Sequence, residues 1–154
     1  MTAGPAARAV EDADMDAAAS LLDRFFREEG FSLPVEGMRA RLAAYRRRDG
    51  NAAFVAVDEG GDAMVGVATI ATGFSLEYGG VAEIEDLYVV PDRRGGGVGR
   101  ALVETACAWA ADRGCSAVLV TVTPEGQDAH DLIAYYAALG FADDGRRILE
   151  RRLT

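Results

Sequence analysis

Apolar residues recur at helical spacing in four stretches of the chain and crowd into short, strand-like runs in six others. Over 15–29, Ala18, Leu22, Phe25 and Phe26 share one side; Asp12 or Asp14 can cap the start, and Gly30 stops the helix. Pro34 opens a second helix with Val35, Met38, Leu42 and Tyr45 on one side and Arg39, Arg41, Arg46, Arg47 and Arg48 on the other, a solvated face; Asp49-Gly50-Asn51 ends it. A third helix runs over 98–113, with Val98, Leu102, Thr105 and Trp109 on one face and Gly114 closing it. A fourth covers 128–139 and closes at Gly140. Strands are predicted over 7–10, 52–57, 63–72, 81–90, 117–123 and 146–153, with a further short one at Phe141. The near-continuous apolar run over 117–123 suits a buried central strand. Hairpin chemistry sits at Asp58-Glu59-Gly60-Gly61-Asp62, a turn at Pro124-Glu125-Gly126, and a loop over 73–80 carries Phe74, Leu76 and Tyr78 as candidate walls of a pocket.

The resulting order, β-α-α-β-β-β-α-β-α-β, predicts a mixed α/β fold of one domain over 1–154, with 1–5 a loose tail. At 154 residues the chain is long enough for one sizeable core. It has no apolar run of membrane-spanning length and no basic-then-apolar start, so a cytoplasmic protein away from membranes is expected. The net charge of −9 argues against a nucleic-acid partner and favours a cationic one, such as an amine; it also serves solubility. Cys107 and Cys115 are expected as buried free thiols. Neither has a histidine or second cysteine at ligand spacing, so no metal is expected.

One segment breaks local rules. After Val89-Val90-Pro91 come Asp92-Arg93-Arg94-Gly95-Gly96-Gly97-Val98-Gly99-Arg100: glycines and arginines packed into a helix start. Glycine is costly there, and cations are disfavoured by the helix dipole. A bound anion resolves both, since bare amides approach phosphate oxygens closely and the helix N-terminus attracts negative charge. The segment lacks the Gly-Lys-Ser/Thr of a Walker loop. The glycine or alanine that a dinucleotide fingerprint needs three residues after Gly99 is Leu102 instead.

Arg94-x-x-Gly97-x-Gly99, between strand and helix, resembles the acetyl-CoA pyrophosphate loop of the GCN5-related N-acetyltransferases. The element order matches that family over 7–153. The resemblance implies a mostly antiparallel central sheet of six or seven strands flanked by four helices, and acetyl-CoA as cosubstrate. It places the diphosphate on Arg94, Gly95, Gly96, Gly97, Val98, Gly99 and Arg100, with charge from Arg93 as well. It places the pantetheine arm along the strand end Leu87, Tyr88 and Val89, which splays from its neighbour, with the Val89 amide polarising the thioester carbonyl.

The same strand carries Glu83, Glu85 and Asp86. Alternation puts Glu83 and Glu85 on one face and Asp86 on the other. The resemblance makes Glu83, six residues before Val89, the general base, with Glu85 next; binding of the acceptor ammonium or pairing with arginines is the other role for these acids. Tyr135-Tyr136-Ala137-Ala138-Leu139-Gly140-Phe141 resembles the family's Tyr-x-x-x-Gly-Phe signature and makes Tyr136 the acid that protonates the leaving thiolate. His130 is expected as a surface or capping residue. The asparagine common in the family near this helix start is absent, and Gln127 or His130 stands in its region. The implied activity is acetyl transfer to the primary amine of a small molecule, with a homodimer common in the family. The alternatives are protein or peptide N-acetylation, or a non-catalytic acyl-CoA-binding module.

Overall fold

A computed structural model describes residues 4–61 and 63–153. The start of the expected tail, residues 1–3, and Asp62 of the expected hairpin turn lie outside them. The chain divides into two compact units, residues 1–120 and 121–154.

The first unit is built on a five-stranded sheet in the order β1 (Ala6–Ala9), β2 (Asn51–Val57), β3 (Met64–Ser75), β4 (Gly79–Val89) and β5 (Cys115–Val120). The first three pairings are antiparallel and the β4–β5 pairing is parallel. Helix α1 (Met15–Glu29) matches its expected bounds and ends on Gly30, left-handed at φ 73°. Helix α2 (Met38–Arg46) starts four residues later than Pro34 suggested. The Gly37 amide closes a turn on the Pro34 carbonyl, so 34–37 is spent before the helix begins. Three of the α2 arginines are tied to acids: Arg39 to Asp16, Arg41 to Glu36, and Arg46 to Asp12. Helix α3 (Val98–Asp112) follows the glycine segment.

The two faces of the sheet carry different helices. Ala53, Val55, Val67 and Tyr88 pack with Met15, Ala18, Leu21 and Leu22 of α1 and Leu42 of α2. On the other face Phe54 meets Trp109 of α3 edge-on, and a Cβ built on Gly66 would come within 2.9 Å of Leu102 and 3.0 Å of Val98. Only a glycine at 66 lets α3 sit this close, and that contact holds the start of α3 beside the end of β4. Leu102 is fully buried, so truncating it to alanine costs about 2–5 kcal/mol.

Three sequence expectations are corrected here. The β3–β4 hairpin extends through most of the expected 73–80 loop, leaving only 76–78 as the turn, with Phe74 and Leu76 exposed. Phe74 and Leu76 therefore project into solvent instead of walling a pocket. β5 is the last strand of the sheet and not a central one; none of its residues is fully buried, and Ser116 and Leu119 are exposed. Cys107 and Cys115 are free and half-buried.

The second unit holds α4 (Pro124–His130) and α5 (Leu132–Ala138). The expected turn at 124–126 is the first turn of α4, since Pro124 suits a first helical position and the Thr123 hydroxyl accepts from the Gly126 amide. The expected helix over 128–139 is interrupted at Asp131, left-handed at φ 49°, so the described residues form five α-helices where four were expected. Gly140 closes α5 at φ 94°. The expected strands at Phe141 and 146–153 are irregular, so among the described residues the sheet has five strands and not six or seven. In 146–153, Ile148 and Leu149 are adjacent and Leu153 stands apart, a pattern that gives no single apolar face. Local bonds hold the turn before it: Gly145 and Arg146 amides donate to the Asp143 and Asp144 carboxylates.

Candidate active site

Strand β4 is two-sided along only part of its length. Gly80 to Ile84 pair with β5, whereas beyond Ile84 the ladder continues on the β3 side alone. The Val90 amide donates to the Val65 carbonyl. In an antiparallel ladder alternate residues turn their backbone groups to the same neighbour, so Tyr88 and Val90 face β3 while Leu87 and Val89 face away from it. Leu87 thus offers its N–H and C=O, and Val89 its N–H, along an edge that β5 leaves open, the position at which the pantetheine arm was expected; the Val89 carbonyl is taken by Arg94. Tyr88 contributes differently: its ring is buried against Phe25 and its hydroxyl donates to Glu28 at 2.7 Å.

The open edge runs into the glycine segment. A single 3₁₀ turn at Pro91–Arg93 leads to extended Arg94. Gly95 and Gly97 are left-handed, at φ 80° and 90°, a conformation that side chains resist. Gly97 caps α3, and Ala101 is the first amide to close a helical bond, on the Gly97 carbonyl. The first-turn amides of Val98, Gly99 and Arg100 are the ones a helix leaves without internal partners. A Cβ on Gly95 would meet nothing within 4 Å, and one on Gly96 only the Arg93 carbonyl oxygen at 3.6 Å. The space above the loop is therefore open for a ligand, and these residues fit a bound diphosphate.

The three arginines sit differently from one another. Arg93 donates to Asp58 at 2.8 Å, tying the loop to the β2–β3 turn. Arg94 folds back: its Nε–H donates to the Val89 carbonyl at 2.9 Å, it lies over the Tyr88 ring, and it stands 3.5 Å from Glu28. Arg100 is exposed on the first turn of α3.

The acids do not follow simple alternation. Thr69 pairs with Asp86 but Ile70 pairs with Ile84, so Glu85 is the extra residue of a β-bulge. The bulge resets the parity. Glu83, opposite Ala71, and Asp86, opposite Thr69, both fall on the α1/α2 face, which corrects the expectation that Asp86 points away. Asp86 accepts from the Thr69 hydroxyl at 2.5 Å, and burial pushes its carboxyl above the usual carboxylate range. Glu85 is exposed and accepts from the Tyr45 hydroxyl of α2 at 2.8 Å. Sequence reasoning placed Asp86 on the wrong face, read Tyr45 only as an apolar helix position and did not single out Thr69. Three acids within four positions of one strand were the available signal for a bulge.

Tyr136 belongs to the second unit. It is buried, edge-on to Tyr135 and Phe141, and burial raises its phenol to about 12. Gln127 is committed locally: its amide bridges Asp131 and the Ile133 N–H. Among the described residues no group of three or more His, Cys, Asp or Glu could hold a metal, and no helix is long and apolar enough to cross a membrane.

Comparison with known proteins bears on this geometry. The model of the acetyltransferase (GNAT) family matches residues 16–141. Glucosamine 6-phosphate N-acetyltransferase of Trypanosoma brucei brucei is 28% identical over 144 residues, covering 92% of this chain and 91% of that protein. Thialysine N-epsilon-acetyltransferase of Bos taurus is 34% identical over 83 residues, 54% of this chain and 47% of that protein. Among solved structures, a Trypanosoma brucei acetyltransferase superposes with a TM-score of 0.73 at 26% identity, over 96% of this chain and 99% of that one. An aminoglycoside N-acetyltransferase in complex with CoA shares the fold, with a TM-score of 0.80 at 20% identity over 99% of this chain and 98% of that one. With the family model running through most of its length, the chain belongs to the GNAT family and is an acetyltransferase.

Proposed function

We propose that the protein transfers the acetyl group of acetyl-CoA directly to the primary amine of a small molecule. The observation that carries this reading is the continuity of the open β4 edge at Leu87 and Val89 with the amides that open α3. A thioester carrier with a diphosphate at one end of an extended amide-bearing arm matches both. Both units are read as one acetyltransferase domain, since the family match passes through each. Relatives named for glucosamine 6-phosphate and thialysine support an amine acceptor, as does the net charge of −9.

Acetyl-CoA supplies an activated acyl carbon. The amides from Gly95 to Arg100, with the Arg94 and Arg100 guanidiniums, hold its diphosphate. Leu87 and Val89 pair with the arm, and the Val89 N–H polarises the thioester carbonyl. Glu83 accepts a proton from the acceptor ammonium, with Glu85 as the second carboxylate facing it. The freed nitrogen lone pair forms the bond to the acyl carbon as the carbon–sulfur bond breaks. Tyr136 gives its proton to the departing thiolate, and the proton shed by the new amide nitrogen restores the phenol.

The test is a screen of amines (polyamines, amino sugars, aminoglycosides, lysine analogues and lysine peptides) for release of CoA thiol. Turnover of small amines above peptides is the expected result. Release with peptides alone, or with no amine, overturns the reading.

A further inference from the structure

Two guanidiniums share one carboxylate beside the glycine segment. Arg94 lies over the Tyr88 ring, 5.6 Å from its centre, and Arg24 of α1 lies over the same ring at 5.8 Å. Glu28, one helical turn after Arg24, accepts from the Tyr88 hydroxyl at 2.7 Å and stands 3.5 Å from Arg94. Its carboxylate is thus taken by Tyr88 and Arg94. Asp23 is taken as well, since Arg27 donates to it at 2.7 Å. Among the described residues Arg24 makes no hydrogen bond and no ion pair, and the Tyr88 ring is what holds it. A guanidinium over a ring face is steadied there while its N–H groups stay available to an acceptor. Two cations and one anion leave an excess of one positive charge, on a chain whose net charge is −9. Such an island draws in anions that the rest of the surface repels. It stands where Arg94 meets the Val89 carbonyl and the glycine segment begins. The carrier read into that segment has phosphate oxygens in two places, its diphosphate and the 3′-phosphate of its ribose.

We propose that Arg24 is a phosphate-binding residue of the carrier site: its guanidinium, held over Tyr88 beside Arg94, contacts a phosphate group of acetyl-CoA. Helix α1 thereby joins the glycine segment in gripping the carrier, and the Tyr88 ring is the platform that carries both guanidiniums. The inference rests on the acetyl-CoA reading and adds a contact from an element outside the glycine segment.

The test titrates CoA, 3′-dephospho-CoA and pantetheine into the wild type, Arg24→Ala and Arg24→Lys by calorimetry. Arg24→Ala is expected to weaken CoA about three- to tenfold, the span from an exposed ion pair to one charge-assisted hydrogen bond. Its melting temperature stays at the wild-type value, since Arg24 is exposed. Arg24→Lys recovers part of the loss, because it keeps the charge without the planar fork. A loss that disappears with 3′-dephospho-CoA puts the contact on the 3′-phosphate, and one that persists puts it on the diphosphate. Pantetheine, which has neither, is expected to bind all three proteins alike; an equal loss with pantetheine overturns the phosphate contact. The same titrations in a Glu28→Gln background separate direct from indirect action. A direct contact keeps the Arg24→Ala loss there, whereas a loss that vanishes means Arg24 acts only through Glu28 and overturns the proposal. CoA bound equally by the wild type and Arg24→Ala overturns the inference alone. No CoA binding by the wild type removes the acetyl-CoA reading and the inference with it.

Discussion

The guanidinium of Arg94 donates from Nε to the carbonyl of Val89, at 2.9 Å, across the mouth of the glycine segment. That carbonyl belongs to the open edge of β4, and Glu28 stands 3.5 Å from the same guanidinium. Arg94 is thus engaged with the protein at the place where the carrier's arm and diphosphate are proposed to lie. Removing Glu28's charge frees the guanidinium for phosphate. Glu28→Gln is expected to tighten acetyl-CoA binding about two- to threefold, because a half-exposed ion pair is worth only about 0.2–1 kcal/mol. Arg94→Ala is expected to weaken it about tenfold, the loss of one charge-assisted bond of about 1.5 kcal/mol. Titration calorimetry with acetyl-CoA reads both, and opposite signs contradict the arrangement.

Gly96 separates a structural glycine from a ligand-facing one. A methyl group there meets only the Arg93 carbonyl at 3.6 Å, an ordinary contact, and the backbone needs no left-handed angle. Gly96→Ala is therefore expected to change stability by no more than about 0.5 kcal/mol while weakening acetyl-CoA about tenfold, by holding phosphate oxygens off the amides. Gly97→Ala, at φ 90°, is expected to cost about 1–2 kcal/mol of stability in addition. Melting curves with and without acetyl-CoA distinguish the two. Equal binding by wild type and Gly96→Ala contradicts the cradle.

The proposed base and acid give distinct signatures. Glu83→Gln is expected to lower kcat by about 10²–10⁴, the range for a general base, while acetyl-CoA still binds. Tyr136→Phe is expected to lower kcat with acetyl-CoA affinity intact. Wild-type kcat in Tyr136→Phe removes the phenol as the acid.

Tyr136 also carries a pH signature in stability. Its phenol rises from an ordinary 10.0 to about 12 through burial. A folded-state value above the unfolded one favours folding fully below pH 10.0, and that contribution is lost as pH climbs to about 12. Denaturation followed from pH 9 to 12 is expected to show this decline in wild type. In Tyr136→Phe this particular slope is absent.

The legible parts of the sequence were those written in local chemistry. Gly30 and Gly114 mark helix ends by their left-handed angles, and the bounds of α1 follow from its apolar stripe. The glycine segment announced itself as a conflict between propensity and position. What stayed hidden depends on partners distant in sequence. The bulge at Glu85 is a matter of β3 register, and it alone decides that Asp86 shares a face with Glu83. Tyr45 read as one more apolar position of α2, and only the fold brings its hydroxyl to a residue 40 positions away. The break at Asp131 is a left-handed angle at a non-glycine residue, for which an aspartate in a helical run gives no warning.

Amide chemical shifts test the central claim most directly. On adding CoA, the backbone amides of Gly95, Gly96, Gly97, Val98, Gly99 and Arg100 are expected to move together with those of Leu87 and Val89. On adding pantetheine, which lacks the diphosphate, only Leu87 and Val89 are expected to move. Loop amides that stay in place while CoA binds contradict the account.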